Sequence, residues 1–278
     1  MLILSHSGIV AIEGCPFRLI LLLNHQGIVR GGYPRNNLHK LNTIPGHAIH
    51  LAIERFIDRW KDNPLVTPLV SELSESAISI INNIWENKET QILEYIQNID
   101  IDKEKNYQSE QLRRIQDLCV KFCRIWNDNG YQNMHYISHE KLDSHPFTEN
   151  YELSGEIDLL IRDDDGIFHV IDWKSGIASR MPLGSSQLGI YAFLTHKIHD
   201  VALSNIICTF VSLKDGSCKP REFRERDMKL LETRIQKMIE IEQGYANGEY
   251  SDSEWANPTE QNCLGCSYAN NCEFNYFR

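Results

Sequence analysis

One stretch, Gly155–Gly176, restricts the fold more than any other; it reads GEIDLLIRDDDGIFHVIDWKSG. Its first arm is an apolar run from Ile157 to Ile161 interrupted by Asp158. Its second, Ile167 to Lys174, is rich in the β-branched and aromatic residues that suit a pleated strand. Asp164-Asp165-Gly166 between them suits a three-residue hairpin loop, a type I turn with Gly166 in the left-handed position that makes a bulge. That loop sets the register: with Asp163 opposite Ile167, Asp158 faces Asp172. Side chains alternate along a strand. Glu156, Asp158, Asp172 and Lys174 therefore converge on one face, while Ile157, Leu159, Ile161, Ile171 and Trp173 line the other and are predicted to enter a core. A two-residue loop would instead set Asp158 against Ile171 and split the acids between faces.

Opposed carboxylates repel, and half-buried they need a cation between them or a proton on one. A cluster of oxygen donors suits Mg²⁺ or Mn²⁺. A lysine beside such an ion can orient water or stabilise developing negative charge. A D-x-K triplet alone would read as a surface hairpin with a salt bridge; the preceding G-x-I-D and the apolar packing face point to a site. Gly155-Glu156-Ile157-Asp158 followed by Asp172-Trp173-Lys174 resembles the PD-(D/E)xK nuclease superfamily, with the name-giving dipeptide reduced to Ile157-Asp158, as in its RecB-like branch. The resemblance implies a restriction-endonuclease-like α/β core: a central mixed β-sheet flanked by helices.

Hydrophobic content of 42% and charged content of 24% over 278 residues describe an ordinary globular protein with ample chain for a core. A net charge of −10 argues against a protein that coats nucleic acid nonspecifically, while leaving room for a local basic channel or a basic partner protein. Leu19–Leu23 is too short an apolar run to span a bilayer, and no basic segment precedes it. The expectation is therefore an intracellular, cytoplasmic protein whose eight cysteines are reduced or metal-bound.

In chain order, Ser5–Leu23 reads as a helix interrupted at Gly14-Cys15-Pro16. Gly27–Leu41 is a loop whose Arg30, Tyr33, Arg35 and Lys40 either touch a nucleic-acid strand or simply face solvent. Ile44–Trp60 reads as a helix, with Ile49, Ala52, Ile53, Phe56, Ile57 and Trp60 at helical spacing. The RecB-like branch carries a G-x-x-x-H helix whose histidine ligates metal; Gly46 and His50 match it, and His47 does not fit the spacing. Asn63–Gly130 is mostly helical, clearest over Val70–Glu86 and Gln108–Trp126, and residues 63–130 are read as a helical insertion within a single domain, 1–278. Cys119 and Cys123 read as core. Gln132–Leu142 is predicted as a strand followed by a turn at Asp143–Pro146, with Glu140 either a further acid of the site or a surface residue. Beyond a loop with Arg180, Gln187 and Tyr191 share a helix face. The resemblance places a Q-x-x-x-Y helix directly after D-x-K, where the pair positions DNA and the lysine. Asn205–Leu213 is a strand, Asp215-Gly216 a turn, Lys219–Phe223 a returning strand, and Glu225–Gly244 an amphipathic helix.

The tail, 258–278, contains Cys263, Cys266 and Cys272 as C-x₂-C-x₅-C, a soft-metal pattern lacking a local fourth ligand. With Cys15 ahead of Pro16, the set resembles the iron–sulfur members of the RecB-like nucleases, the AddB-type and the CRISPR-associated exonucleases. There a 4Fe-4S cluster joins the termini; zinc on the same thiolates is the alternative.

Taken together, the resemblance implies an Mg²⁺- or Mn²⁺-dependent deoxyribonuclease acting on single-stranded DNA ends in repair, recombination or defence. Asp158, Asp172, Lys174, Gln187 and Tyr191 would be catalytic. His50, Asp158, Asp172 and the Trp173 backbone carbonyl would bind metal, and Cys15, Cys263, Cys266 and Cys272 the cluster. A nonhydrolytic DNA-end-binding or scaffold subunit of the same fold is the alternative.

Overall fold

The computed structural model describes residues 2–19, 39–96, 101, 104–176, 186–249, 251–264, 266, 272–274 and 276. Arg30, Tyr33 and Arg35, read as either strand-contacting or solvated, and the loop around Arg180 lie outside the described residues. In chain order the main elements are β1 (Leu2–Leu4), α1 (His6–Gly14), α2 (Ile44–Asp62), α3 (Val70–Glu86), α4 (Glu104–Asp128), β2 (His135–Ser138), β3 (Lys141–Pro146), β4 (Tyr151–Ile157), β5 (Leu159–Arg162), β6 (Phe168–Lys174), α5 (Ser186–His199), β7 (Ile206–Ser212), β8 (Cys218–Glu222) and α6 (Glu225–Ala246). The chain forms two compact units, one of residues 1–37, 143–155 and 224–278, the other of 38–142 and 156–223.

The larger unit is built on a mixed five-stranded sheet of order β2-β5-β6-β7-β8. β6 pairs antiparallel with β5 and parallel with β7. Flanked on both edges, β6 is buried at every position but His169 and Lys174, as befits a central strand, and Asp172 is carried into the interior with it. The hairpin register is the one the loop chemistry dictates. Leu159 pairs with Ile171 and Arg162 with Phe168. The Asp163 N–H donates to the Ile167 carbonyl at 3.1 Å, and Gly166 has a φ of 83°, the left-handed conformation that accommodates glycine without a Cβ clash.

Leu159, Ile161, Ile171 and Trp173 enter one core with helices α2, α3 and α4. Its centre is aromatic: the rings of Trp60 and Trp126 lie 5.0 Å apart edge to face, and Phe122 meets Trp173 at 5.2 Å. Both Cys119 and Cys123 are buried there, as their apolar setting predicts. Helix α3 matches the predicted Val70–Glu86, and α4 extends the predicted 108–126 at both ends. Between them the Trp85 indole N–H donates to Gln111 Oε1 at 2.8 Å, and Gln111 Nε2 donates to the Leu41 carbonyl at 2.8 Å. β8 returns along β7 as predicted.

In the smaller unit β1 pairs parallel with β4, Leu2 opposite Tyr151 and Leu4 opposite Leu153, in a sheet of order β1-β4-β3. The Tyr151 hydroxyl donates to Glu242 Oε2 of α6 at 2.5 Å.

Two local expectations are corrected. Residues 143–146 extend β3 instead of turning, because the chain turns earlier, at Glu140, whose φ is 42°. The first hairpin arm is two strands: Asp158 interrupts it, and β4 and β5 belong to different sheets.

Candidate active site

Asp158 sits in the break between β4 and β5, so its backbone belongs to neither sheet ladder. Its Oδ2 accepts a hydrogen bond from the Trp173 N–H at 2.7 Å and lies 3.6 Å from His50 Nδ1. Asp172 is fully buried on β6. One carboxylate oxygen accepts from Gln187 Nε2 at 2.9 Å, and the other lies 2.5 Å from Lys174 Nζ. Gln187 also donates to the Tyr191 hydroxyl at 2.9 Å, so the pair on one face of α5 holds Asp172 from the side opposite the ammonium. Burial lifts both aspartates above the ordinary carboxylate range, Asp158 adds its repulsion to Asp172, and Lys174 acts against the shift in each.

His50 projects from α2 one turn after Gly46. A Cβ at Gly46 would lie 2.6 Å from Ser175 Oγ, so glycine lets this helix approach the chain just after Lys174. Burial and the nearby Lys174 lower the His50 pKa, and its imidazole hydrogen-bonds the Trp173 carbonyl. The ring is therefore neutral near pH 7, the form that ligates metal.

Glu140 joins this group. The left-handed turn directs its N–H to the Ile157 carbonyl at 2.8 Å. Burial, then Asp158, Glu156 and Glu54, push its carboxyl up to about 8. One donor atom each from His50, Glu140 and Asp158 lie within 4.8 Å of one another. These three residues, with Glu54, Glu156, Gln187 and Tyr191, line a cavity of about 730 Å³. Sequence reasoning missed Glu54, although its position four residues after His50 on the same helix face was the available signal. The donors fit a hard divalent cation: two carboxylates that burial leaves short of positive charge and one neutral imidazole. Asp172 is not in that tightest group; its oxygens face Gln187 and Lys174.

A second constellation lies in the smaller unit. Cys15, Cys263, Cys266 and Cys272 line one cavity of about 30 Å³ together with Phe17, Pro258 and Phe274. None of the four is joined in a disulfide. The Asn257 N–H points to Cys15 Sγ at 3.3 Å and the Tyr276 N–H to Cys263 Sγ at 3.4 Å. The side-chain amides of Asn257 and Asn262 both donate to the Gly14 carbonyl, at 2.9 and 3.0 Å, tying the end of α1 to the tail. Burial raises the Cys272 thiol, with the three other sulfurs adding to the effect. Four converging thiols met by backbone N–H donors fit a soft metal ion or an iron–sulfur cluster. Cys208 is fully buried in β7, apart from this group.

Among the described residues no helix is long and apolar enough to cross a membrane. No curated protein matches the sequence. A provisionally assigned exonuclease from Eubacterium rectale, known from its crystal structure, is 9% identical, with 89% of this chain and 82% of that chain covered at a TM-score of 0.45. The crystal structure of a protein designated SSO0001 is 15% identical, with 92% of this chain and 94% of that chain covered at a TM-score of 0.35. The model of the PD-(D/E)XK nuclease superfamily matches residues 3–273, and the chain belongs to that superfamily.

Proposed function

We propose that the protein is a divalent-metal-dependent deoxyribonuclease of the RecB-like branch, acting as an exonuclease on single-stranded DNA ends. The observation that carries this reading is the meeting of His50, Glu140 and Asp158 in one cavity, with Asp172 and Lys174 beside them on β6. His50, Glu140 and Asp158 would hold Mg²⁺ or Mn²⁺, with Asp172 and the Trp173 carbonyl at hand. The ion, when bound, supplies Lewis-acid stabilisation of phosphoryl charge and a more acidic water. Lys174 orients the attacking water and neutralises charge growing on the phosphoryl oxygens. The water oxygen bonds to phosphorus as the bond to the departing sugar oxygen breaks. Gln187 and Tyr191 fix Asp172, and through it the lysine, so that little reorganisation accompanies the reaction.

In this reading Cys15, Cys263, Cys266 and Cys272 hold a 4Fe-4S cluster with a structural role, because hydrolysis transfers no electrons. Zinc on the same thiolates is distinguished by its lack of visible absorption. DNA repair, recombination or defence inside the cell, with or without a partner protein, is the setting the reading implies.

The test is cleavage of end-labelled single-stranded DNA by anaerobically purified protein in Mg²⁺, Mn²⁺ or EDTA, beside Lys174→Ala and Asp172→Ala. Metal-dependent cleavage lost in both variants supports the reading. DNA binding without cleavage in either metal overturns it in favour of a nonhydrolytic end-binding subunit.

A further inference from the structure

Glu140 reaches the metal pocket from an unfavourable backbone. Its φ of 42° is left-handed, a conformation that a residue with a Cβ keeps only where its surroundings enforce it. Its carboxylate is also repelled by Asp158, Glu156 and Glu54. The bond from its N–H to the Ile157 carbonyl fixes one atom of the turn and leaves the rest to its neighbours.

The residue before it is clamped. The His139 side chain is only 7% exposed. Its Nδ1 lies 2.8 Å from the hydroxyl of Tyr136, which stands on the other side of a register shift in the pairing of β2 with β5. Its Nε2 lies 3.4 Å from Asp58 Oδ1 of α2. With the ring proton on Nε2 both nitrogens are matched: the Tyr136 hydroxyl donates to Nδ1, and the N–H faces the carboxylate. Asp58 and Tyr136 are themselves tied to α2. Lys61 Nζ meets the same Asp58 oxygen at 2.5 Å, and the Tyr136 ring packs 6.1 Å from the buried Trp60. On that helix His50, Glu54 and Asp58 follow one another at four-residue steps, the spacing of a single ridge. One helix therefore carries His50 directly and, through Asp58 and His139, braces the turn that carries Glu140.

We infer that His139, clamped between Asp58 and Tyr136, is a positioning residue that holds Glu140 towards a metal ion shared with His50 and Asp158. This rests on the metal-site reading of that pocket, but metal affinity reports it without any cleavage.

The test is calorimetry of the full-length protein with Mn²⁺, beside cleavage of single-stranded DNA over a range of Mn²⁺ concentrations. His139→Ala is expected to weaken Mn²⁺ binding about tenfold. Because the ligands remain, cleavage at saturating Mn²⁺ should return close to that of the wild type. His139→Gln, whose amide can still donate to Asp58, should recover most of the affinity. In Glu140→Gln, itself a weaker binder, adding His139→Ala should cost nothing more, since no carboxylate is left to place. A merely structural role would lower affinity equally in both backgrounds. Asp58→Ala, a change at a half-exposed side chain, keeps the test open should His139→Ala not fold, and is expected to weaken binding about threefold.

Unchanged affinity in both His139→Ala and Asp58→Ala, or the same loss with and without the Glu140 carboxylate, overturns the inference; cleavage by the wild type alongside that result leaves the nuclease reading intact. A loss that depends on Glu140, with no cleavage by the wild type, supports the positioning role and sinks the nuclease reading. A wild-type protein that takes up no Mn²⁺ overturns both.

Discussion

Asp158 accepts the backbone N–H of Trp173 at 2.7 Å, so one carboxylate both faces the cavity and fastens β6. Asp158→Asn retains an oxygen for that N–H and removes the charge. Cleavage should fall by about 100-fold or more, with the melting temperature within about 2 °C of wild type. Asp158→Ala also orphans the N–H, a penalty of about 1–3 kcal/mol that urea titration would register. Equal activity in Asp158→Asn and wild type would remove Asp158 from the metal site.

Lys174 lies against the carboxylate oxygen of Asp172 that Gln187 does not hold. Lys174→Met should abolish cleavage while leaving Mn²⁺ affinity, measured by calorimetry, within about threefold, since the proposed role does not make the lysine a ligand. It should also lower the stability of the metal-free protein, because a fully buried carboxylate loses its counter-ion. A large loss of metal affinity would move Lys174 out of the role assigned to it.

Gly46 and Ser175 touch so closely that they should behave as one site. Gly46→Ala places a methyl 2.6 Å from Ser175 Oγ and is expected to cost about 1–3 kcal/mol. Adding Ser175→Ala removes the obstructing hydroxyl and should return most of that loss. A double-mutant cycle showing simple additivity would mean that the contact carries no energy.

The metal-free protein should be more stable in mild acid than in mild base. Glu140 is pushed up to about 8 from the ordinary 4.5. The folded state therefore binds its proton more tightly than the unfolded chain does. The stability this confers is full below the unfolded value and disappears as pH rises through about 8. The upward shifts of Asp158 and Asp172 act in the same sense. In EDTA, the melting temperature should fall by something on the order of 5 °C between mild acid and mild base, and Mn²⁺ should restore it chiefly at the basic end. A profile indifferent to metal would argue against cation binding by these acids.

The four-thiol pocket makes a compositional prediction. Purified anaerobically, the protein should carry iron and absorb in the visible, and Cys272→Ser should reduce both. Zinc in stoichiometric amount with no visible band would establish the alternative. Asn262→Ala should speed release of the bound metal to a chelator, because Asn262 ties the end of α1, next to Cys15, to the tail.

The hairpin was legible because its determinants are local: Gly166 admits one turn, the turn admits one register, and the register brings Asp158 to Asp172. Helix α3 was equally plain, since its apolar face has no competing period. Glu140 was not, because a positive φ at a non-glycine residue leaves little trace in sequence and depends on what surrounds it. β1 is three residues long, too short for alternation to show. The break at Asp158 escaped for a different reason: an apolar run does not say which sheet each half will join. Glu54 was visible in spacing from His50, but its worth depends on Glu140 turning towards it.

Trp173 stands between Asp172 and Lys174, with its indole against Phe122 and Tyr131. Cohesion and chemistry thus share three consecutive residues of one strand. Thinning the core at Phe122 or Trp126, at about 3–5 kcal/mol, loosens the same backbone that aims the ammonium. A screen for inactive variants would collect such aromatic positions beside Lys174 itself. Damaged packing would imitate damaged chemistry, and only a readout of metal or DNA binding by the folded variant would tell the saboteur from the bystander.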